Sequence, residues 1–164
     1  MTLVEAAARA DELAQAGDER SVAALRVQWD EEIEAAARDA DYRVRAQGYR
    51  AIAQFRFRQK LELLRRGLED ESPACRGSAL LSLELLSRDH PRLVNSNRPL
   101  LHELANADPN GAVRRLAVLS LKNGSPARDT MVFLEHLADA EDDQDLSKAA
   151  SSVNAALKRK AAAR

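Results

Sequence analysis

The 164-residue sequence predicts an all-α protein, and three observations predict it. Alanine, leucine, glutamate and arginine dominate, and these side chains lose little freedom in a helix. The six glycines and five prolines sit in clusters, which marks short turns between long uninterrupted elements. Valine, isoleucine, threonine and tyrosine nowhere alternate with polar residues over a strand-length window, so the two-residue period of a half-buried strand is missing.

The elements can be justified in order. Thr2 with Glu5 three residues later is a capping box that opens a helix running to about Gly17. A second helix runs from about Glu19 to Arg38, with Val22, Leu25, Trp29 and Ile33 on one face, which assigns Trp29 to core packing. A third starts near Tyr42 and carries the apolar stripe Val44, Gly48, Ala51, Ile52 and Phe55. The stretch QFRFRQK, residues 54–60, interleaves two phenylalanines with three basic residues. Phe55 follows Ile52 by three positions and Phe57 precedes Leu61 by four, so the stretch joins two helices and is not a strand. The following helix turns Leu61, Leu64 and Leu68 inward.

Later boundaries rest on capping chemistry. Ser72-Pro73, Asp108-Pro109 and Ser125-Pro126 each offer a capping side chain followed by a proline suited to the first helical position. Asn123-Gly124 is expected to close a helix, with the glycine left-handed. Residues 87–99 contain Pro91 and Pro99, and a continuous helix through both is costly, so an extended connection is expected there. A last helix from about Asp145 to Lys160 places Ala149, Ala150, Val153, Ala156 and Leu157 on one face, and Lys158-Arg159-Lys160 complements its dipole.

Four stretches resemble one another: 37–52, 68–83, 105–121 and 137–153. In the first three an aspartate stands five residues before a small apolar residue followed by arginine: Asp39 with Val44-Arg45, Asp70 with Cys75-Arg76, and Asp108 with Val113-Arg114. A small residue follows (Gly48, Ala79, Ala117), then a larger apolar one (Ile52, Leu83, Leu121). Each copy is succeeded by a second amphipathic helix, carried by Leu61/Leu64/Leu68, Leu100/Leu101/Leu104 and Met131/Leu134/Leu137. The fourth copy has Leu146-Ser147 in place of the apolar-arginine pair, as suits a terminal repeat. Units of this size cannot bury an apolar face alone and must stack.

This pattern resembles the HEAT-repeat family, including its short bacterial-type members, over about residues 37–157. The resemblance implies an armadillo-type α-solenoid of antiparallel helix pairs in a right-handed superhelix. It also implies that Asp39, Arg45, Asp70, Arg76, Asp108 and Arg114 link neighbouring repeats near the turns. The organisation expected is an N-terminal capping helix pair over 1–36, then repeats with a C-terminal capping helix over 37–164, forming one continuous domain.

Charge and chemistry narrow the function. The net charge of −1 draws the chain to neither nucleic acid nor an acidic membrane. It averages an acidic stretch, 1–41, with eleven acidic and four basic side chains, and a basic one, 42–66, with eight basic and one acidic. The basic charges have three readings: pairing with the adjacent acidic segment 30–41, a protein-binding surface, or a nucleic-acid surface. The single cysteine, Cys75, excludes an internal disulfide, suits a reducing compartment, and takes the place of Val44 and Val113 as a buried apolar residue. No secretory signal and no membrane-length apolar run occur, so the expected location is cytoplasmic.

Catalytic candidates are poor. His90 precedes a proline in a loop, and His102-Glu103 and Glu135-His136 lie on second helices. HEAT-repeat hydroxylases bind iron through several His-Glu pairs, and one pair in that order is present here, so neither metal nor cofactor is expected. The resemblance implies a non-catalytic scaffold, adaptor or inhibitor that binds another protein along its second helices. On those helices the expected contacts are Arg58, Lys60, Arg65 and Arg66, then Arg98, His102 and Glu103, then Glu135 and His136. The alternatives are a nucleic-acid binder or HEAT-like glycosylase acting through the basic block 43–66, and a small HEAT-like metalloenzyme or lyase domain.

Overall fold

In the computed structural model, which describes residues 1–140 and 142–163, most of the chain is helical and no strand occurs among the described residues. The helices are α1 (Leu3–Gln15), α2 (Glu19–Ala37), α3 (Tyr42–Gln54), α4 (Leu61–Leu68) and α5 (Pro73–Ser87). They continue with α6 (Pro91–Asn95), α7 (Arg98–Ala107), α8 (Gly111–Leu121), α9 (Arg128–Ala140) and α10 (Gln144–Ala162), and a 3-10 turn at Arg58–Lys60 precedes α4. They fall into two compact units, Met1–Leu86 and Ser87–Arg164.

In the first unit α1 packs on α2 and α3, and α2 packs on α3 and α4. The Thr2 hydroxyl accepts from the Glu5 amide at 3.2 Å, and the Thr2 amide donates to the Glu5 carboxylate at 2.7 Å. Gly17, at φ 78°, closes α1 in the left-handed conformation that glycine takes without strain. Small residues bring the helices close. A Cβ on Gly48 would stand 2.6 Å from the Ala37 amide nitrogen, so α2 and α3 touch backbone to backbone. Gly67 gives the same room to the Tyr49 ring and Ala79. Ile33, Ile52, Phe55, Leu64, Leu68, Leu80 and Leu83 fill the remaining core, each fully buried side chain contributing about 1.5–3 kcal/mol. Cys75 is buried, with Sγ 3.2 Å from the Tyr42 carbonyl, and burial pushes its thiol pKa up.

In the second unit α7 packs on α8 and α9, and α10 packs on α8 and α9. Its core is Val94, Leu101, Leu104, Val113, Val118, Leu121, Leu134, Leu146, Val153 and Leu157. The segment 87–99 is not the extended connection the prolines suggest. It holds the one-turn helix α6, with Pro91 and Pro99 each in a first turn, where the missing N–H has no intrahelical acceptor to lose. Two other starts differ as well. Pro109 and Pro126 lie outside helices: α8 begins at Gly111, where the Asn110 side chain accepts from the Val113 amide at 3.1 Å, and α9 begins at Arg128. Gly124 is not left-handed; it is small because a Cβ there would meet Val94 Cγ1 at 2.7 Å. Asn95 holds that approach, donating to the Ser125 hydroxyl and accepting from the Ser125 amide, both at 2.9 Å. Of the fourth repeat copy, Glu141 lies outside the described residues.

Candidate partner-binding surface

The QFRFRQK stretch is built into the first unit from several sides. Helix α3 ends with the Phe57 amide donating to the Ile52 carbonyl at 2.8 Å and the Arg56 amide to Ala53 at 2.9 Å, a Schellman closure. Arg56 occupies the left-handed position at φ 53°, where glycine is usual. Its guanidinium donates to Asp11 on α1 and to the Ala53 carbonyl, both at 2.8 Å. From α2, Arg26 donates to the Phe55 carbonyl at 2.9 Å and pairs with Glu19. Phe55 and Phe57 are both buried, closing the stripe of α3 and opening that of α4.

Lys60, expected at a partner surface, is taken up by the fold. It is only 9% exposed, with Nζ 2.5 Å from Asp30 and 2.7 Å from Glu34 on α2, and 4.5 Å from the centre of the Phe57 ring. Burial opposes its charge, but the hydrogen bonds to Asp30 and Glu34 outweigh that and raise its pKa. The hydrogen bond from Lys60 in turn lowers the pKa of Glu34. The acidic and basic blocks thus meet at this turn.

The remaining basic residues divide. Arg43 pairs with Asp41 at the surface, and Arg45 pairs with Asp70. Burial pushes the Asp70 carboxyl up, yet the Arg45 guanidinium and the Ser72 amide outweigh this and hold it below the usual carboxylate range. Arg76 donates to the carbonyls of Asp70 and Glu71 at 3.0 and 3.2 Å, and Arg114 to Ala105 at 2.9 Å. Asp39 accepts from the Asp41 amide, and Asp108 from the Asn110 amide, so both shape the turns before α3 and α8. Arg50, Arg65 and Arg66 are exposed and enter no ion pair among the described residues. Arg58 is exposed beside them on the run into α4.

Helix α4 itself buries Leu63, Leu64, Gly67 and Leu68, with Leu61 half-buried, so its inward face is centred on 63, 64, 67 and 68 rather than on 61, 64 and 68. Glu62, Arg65 and Arg66 therefore share the outer side.

In the second unit the expected contacts separate. His102 turns inward between α7 and α9: its Nε2 is 2.9 Å from the Thr130 hydroxyl, and its ring stacks on Phe133 at 4.7 Å. Burial lowers its pKa, Asp129 opposing and Arg98 adding to the effect. Arg98 is half-buried and donates to Asn95 at 2.5 Å. Glu103, Glu135 and His136 are exposed, the last two beside a shallow cleft of about 210 Å³ shared with Val132 and Asp139. The two His-Glu pairs therefore do not converge. Among the described residues no three His, Cys, Asp or Glu side chains gather as a metal site, and no helix is long and apolar enough to cross a membrane.

Two features escaped sequence reasoning. Trp29 is only half-buried, and its Nε1 is buried without a described partner. An apolar groove opens along α1 and α3, and nothing in the pattern of α1 distinguishes a covered valine from an uncovered one.

No curated protein matches the chain in sequence. A family model described as HEAT repeats matches residues 30–122, a span running from within α2 to the end of α8 and covering more than half of the chain. Together with the succession of packed helix pairs, this makes the fold an all-α solenoid. The chain belongs to the HEAT-repeat family.

Proposed function

We propose that this protein is a non-catalytic binding module, a scaffold, adaptor or inhibitor, that holds another protein on the surface formed by its second helices. The observation that carries the reading is the division of the basic block. Arg45, Arg56 and Lys60 are paired inside the fold, whereas Arg65 and Arg66 stand exposed on α4 and enter no ion pair among the described residues. Two adjacent guanidiniums on a helix anchored by Leu63, Leu64 and Leu68 are oriented for carboxylates on a partner. Membership of the family supports the same reading, since HEAT repeats typically mediate protein–protein interaction. The reading needs neither cofactor nor metal, and a cytoplasmic setting suits the single, buried cysteine.

The test is retention of partners on immobilised wild type and on the Arg65→Glu, Arg66→Glu double variant. A specific partner identified by mass spectrometry should be lost from the variant while its melting curve is unchanged. Equal retention would move the binding surface elsewhere.

A further inference from the structure

The first unit carries a second open surface, away from the outer side of α4. Between α1 and α3, Leu3, Val4, Ala7 and Ala46 floor a groove of about 260 Å³ that is open to solvent. Val4 is 52% exposed and Leu3 half-buried, so α1 leaves part of its apolar stripe uncovered. Two alanines in the floor keep the groove empty where larger side chains would fill it. Its volume suits one bulky side chain rather than a drug-sized ligand, for which roughly 300–1,000 Å³ is usual.

The rim is polar and of one sign. Gln47, Arg50 and Gln54 on α3 and Ser78 on α5 complete the lining, and no carboxylate is among them. Arg50 is exposed and enters no ion pair among the described residues. The groove therefore presents an apolar floor beside an exposed guanidinium that pairs with no carboxylate among the described residues. Ala46, Arg50 and Gln54 are spaced four residues apart, so they follow one face of α3 for about 12 Å at 1.5 Å per residue. That length matches two turns of a helix or a short extended segment.

We propose that this groove docks a segment of a protein partner that carries one bulky aliphatic or aromatic side chain and, about one helical turn away, a carboxylate. The apolar side chain covers Val4 and Ala46, and the carboxylate pairs with Arg50. The site is separate from the α4 surface and does not depend on it.

A random peptide display library panned on the immobilised protein tests this. Enriched sequences should place Leu, Ile or Phe three or four positions from Asp or Glu. Synthetic copies, titrated by fluorescence anisotropy, should bind Arg50→Glu about tenfold more weakly, with Arg50→Lys recovering part of the loss. Ala46→Leu, which fills the floor, should weaken binding similarly, and the Arg65→Glu, Arg66→Glu variant should bind as wild type. Arg50 is exposed, so its variants report binding rather than folding. No enrichment over blank support, peptides without a carboxylate, or equal affinity for Arg50→Glu would overturn the proposal. Loss of binding in the α4 variant alone would do so as well, by assigning the peptides to the other surface.

Discussion

Arg45 and Asp70 meet in a two-pronged ion pair, Nε to Oδ2 at 2.9 Å and Nη2 to Oδ1 at 3.0 Å, with side chains 13% and 8% exposed. The third nitrogen of the guanidinium donates to the carbonyls of Asp39 and Ala40, at 3.1 and 3.0 Å. Asp70 Oδ1 also accepts from the Ser72 amide at 2.9 Å. One pair therefore fastens the turn before α3 to the turn before α5. Asp70→Asn should lower the melting midpoint by about 5 °C, because it removes the buried partner of Arg45 and leaves only the exposed Glu71 carboxylate, 3.8 Å away, beside the guanidinium. Adding Arg45→Met should cost less than its own single-variant effect. Strictly additive losses in a double-mutant cycle of thermal melts would show that the two side chains are not coupled.

Acid should lower the stability of the protein in two steps. Burial holds the pKa of His102 below its ordinary 6.5, so the unfolded chain binds this proton more readily than the folded one. Stability is then full above about pH 6.5 and falls as pH drops toward the folded value. Asp70 and Glu34, whose folded pKa values lie below 3.8 and 4.5, contribute stability that is lost only at more acid pH. His102→Gln keeps a partner for Thr130 and removes the first step alone. Denaturant midpoints across pH would check this, and parallel profiles for wild type and variant between about pH 7 and 5 would count against it.

Much of this was legible in the sequence, for a physical reason: a helix that buries one side must repeat apolar residues every three or four positions. Ile52, Phe55, Val113, Leu134 and Val153 follow that rule and are buried. What escaped depends on neighbours distant in sequence. Lys60 resembles any surface lysine until Asp30 and Glu34 of α2 close over it, and Tyr49 until Gly67 makes room for its ring. Pro109 and Pro126 carry a proper cap signal, but α8 starts where Asn110 finds the Val113 amide. Arg65 and Arg66 can be placed on the outer side of α4 from the sequence, but which of the basic residues are paired depends on such distant neighbours.

Arg56 sets a left-handed backbone against a useful side chain. A non-glycine residue at φ 53° costs about 1 kcal/mol, while the guanidinium ties the turn to Asp11 and to the Ala53 carbonyl. Arg56→Gly loses both the strain and the contacts and should be close to neutral. Arg56→Ala loses the contacts but keeps the strain, so it should be less stable than the glycine variant by about 1 kcal/mol. Urea unfolding of the pair decides it; an alanine variant at least as stable as the glycine one would contradict the account.

Two glycines should respond oppositely to the same added methyl group. At Gly48 the new Cβ would lie 2.6 Å from the Ala37 amide nitrogen and 2.9 Å from its Cα, both backbone atoms of α2. No side-chain rotation relieves that, so α2 and α3 must move apart, and Gly48→Ala should destabilise by more than about 2 kcal/mol. At Gly111, the first residue of α8, the nearest heavy atom is Asp143 Oδ2 at 3.6 Å, an ordinary contact, and the backbone is not left-handed. Gly111→Ala should therefore stabilise by about 0.5 kcal/mol, because it restricts the unfolded chain and favours the helix. Urea midpoints should move in opposite directions. Equal shifts would mean that α2 and α3 do not pack as closely as the Gly48–Ala37 approach requires.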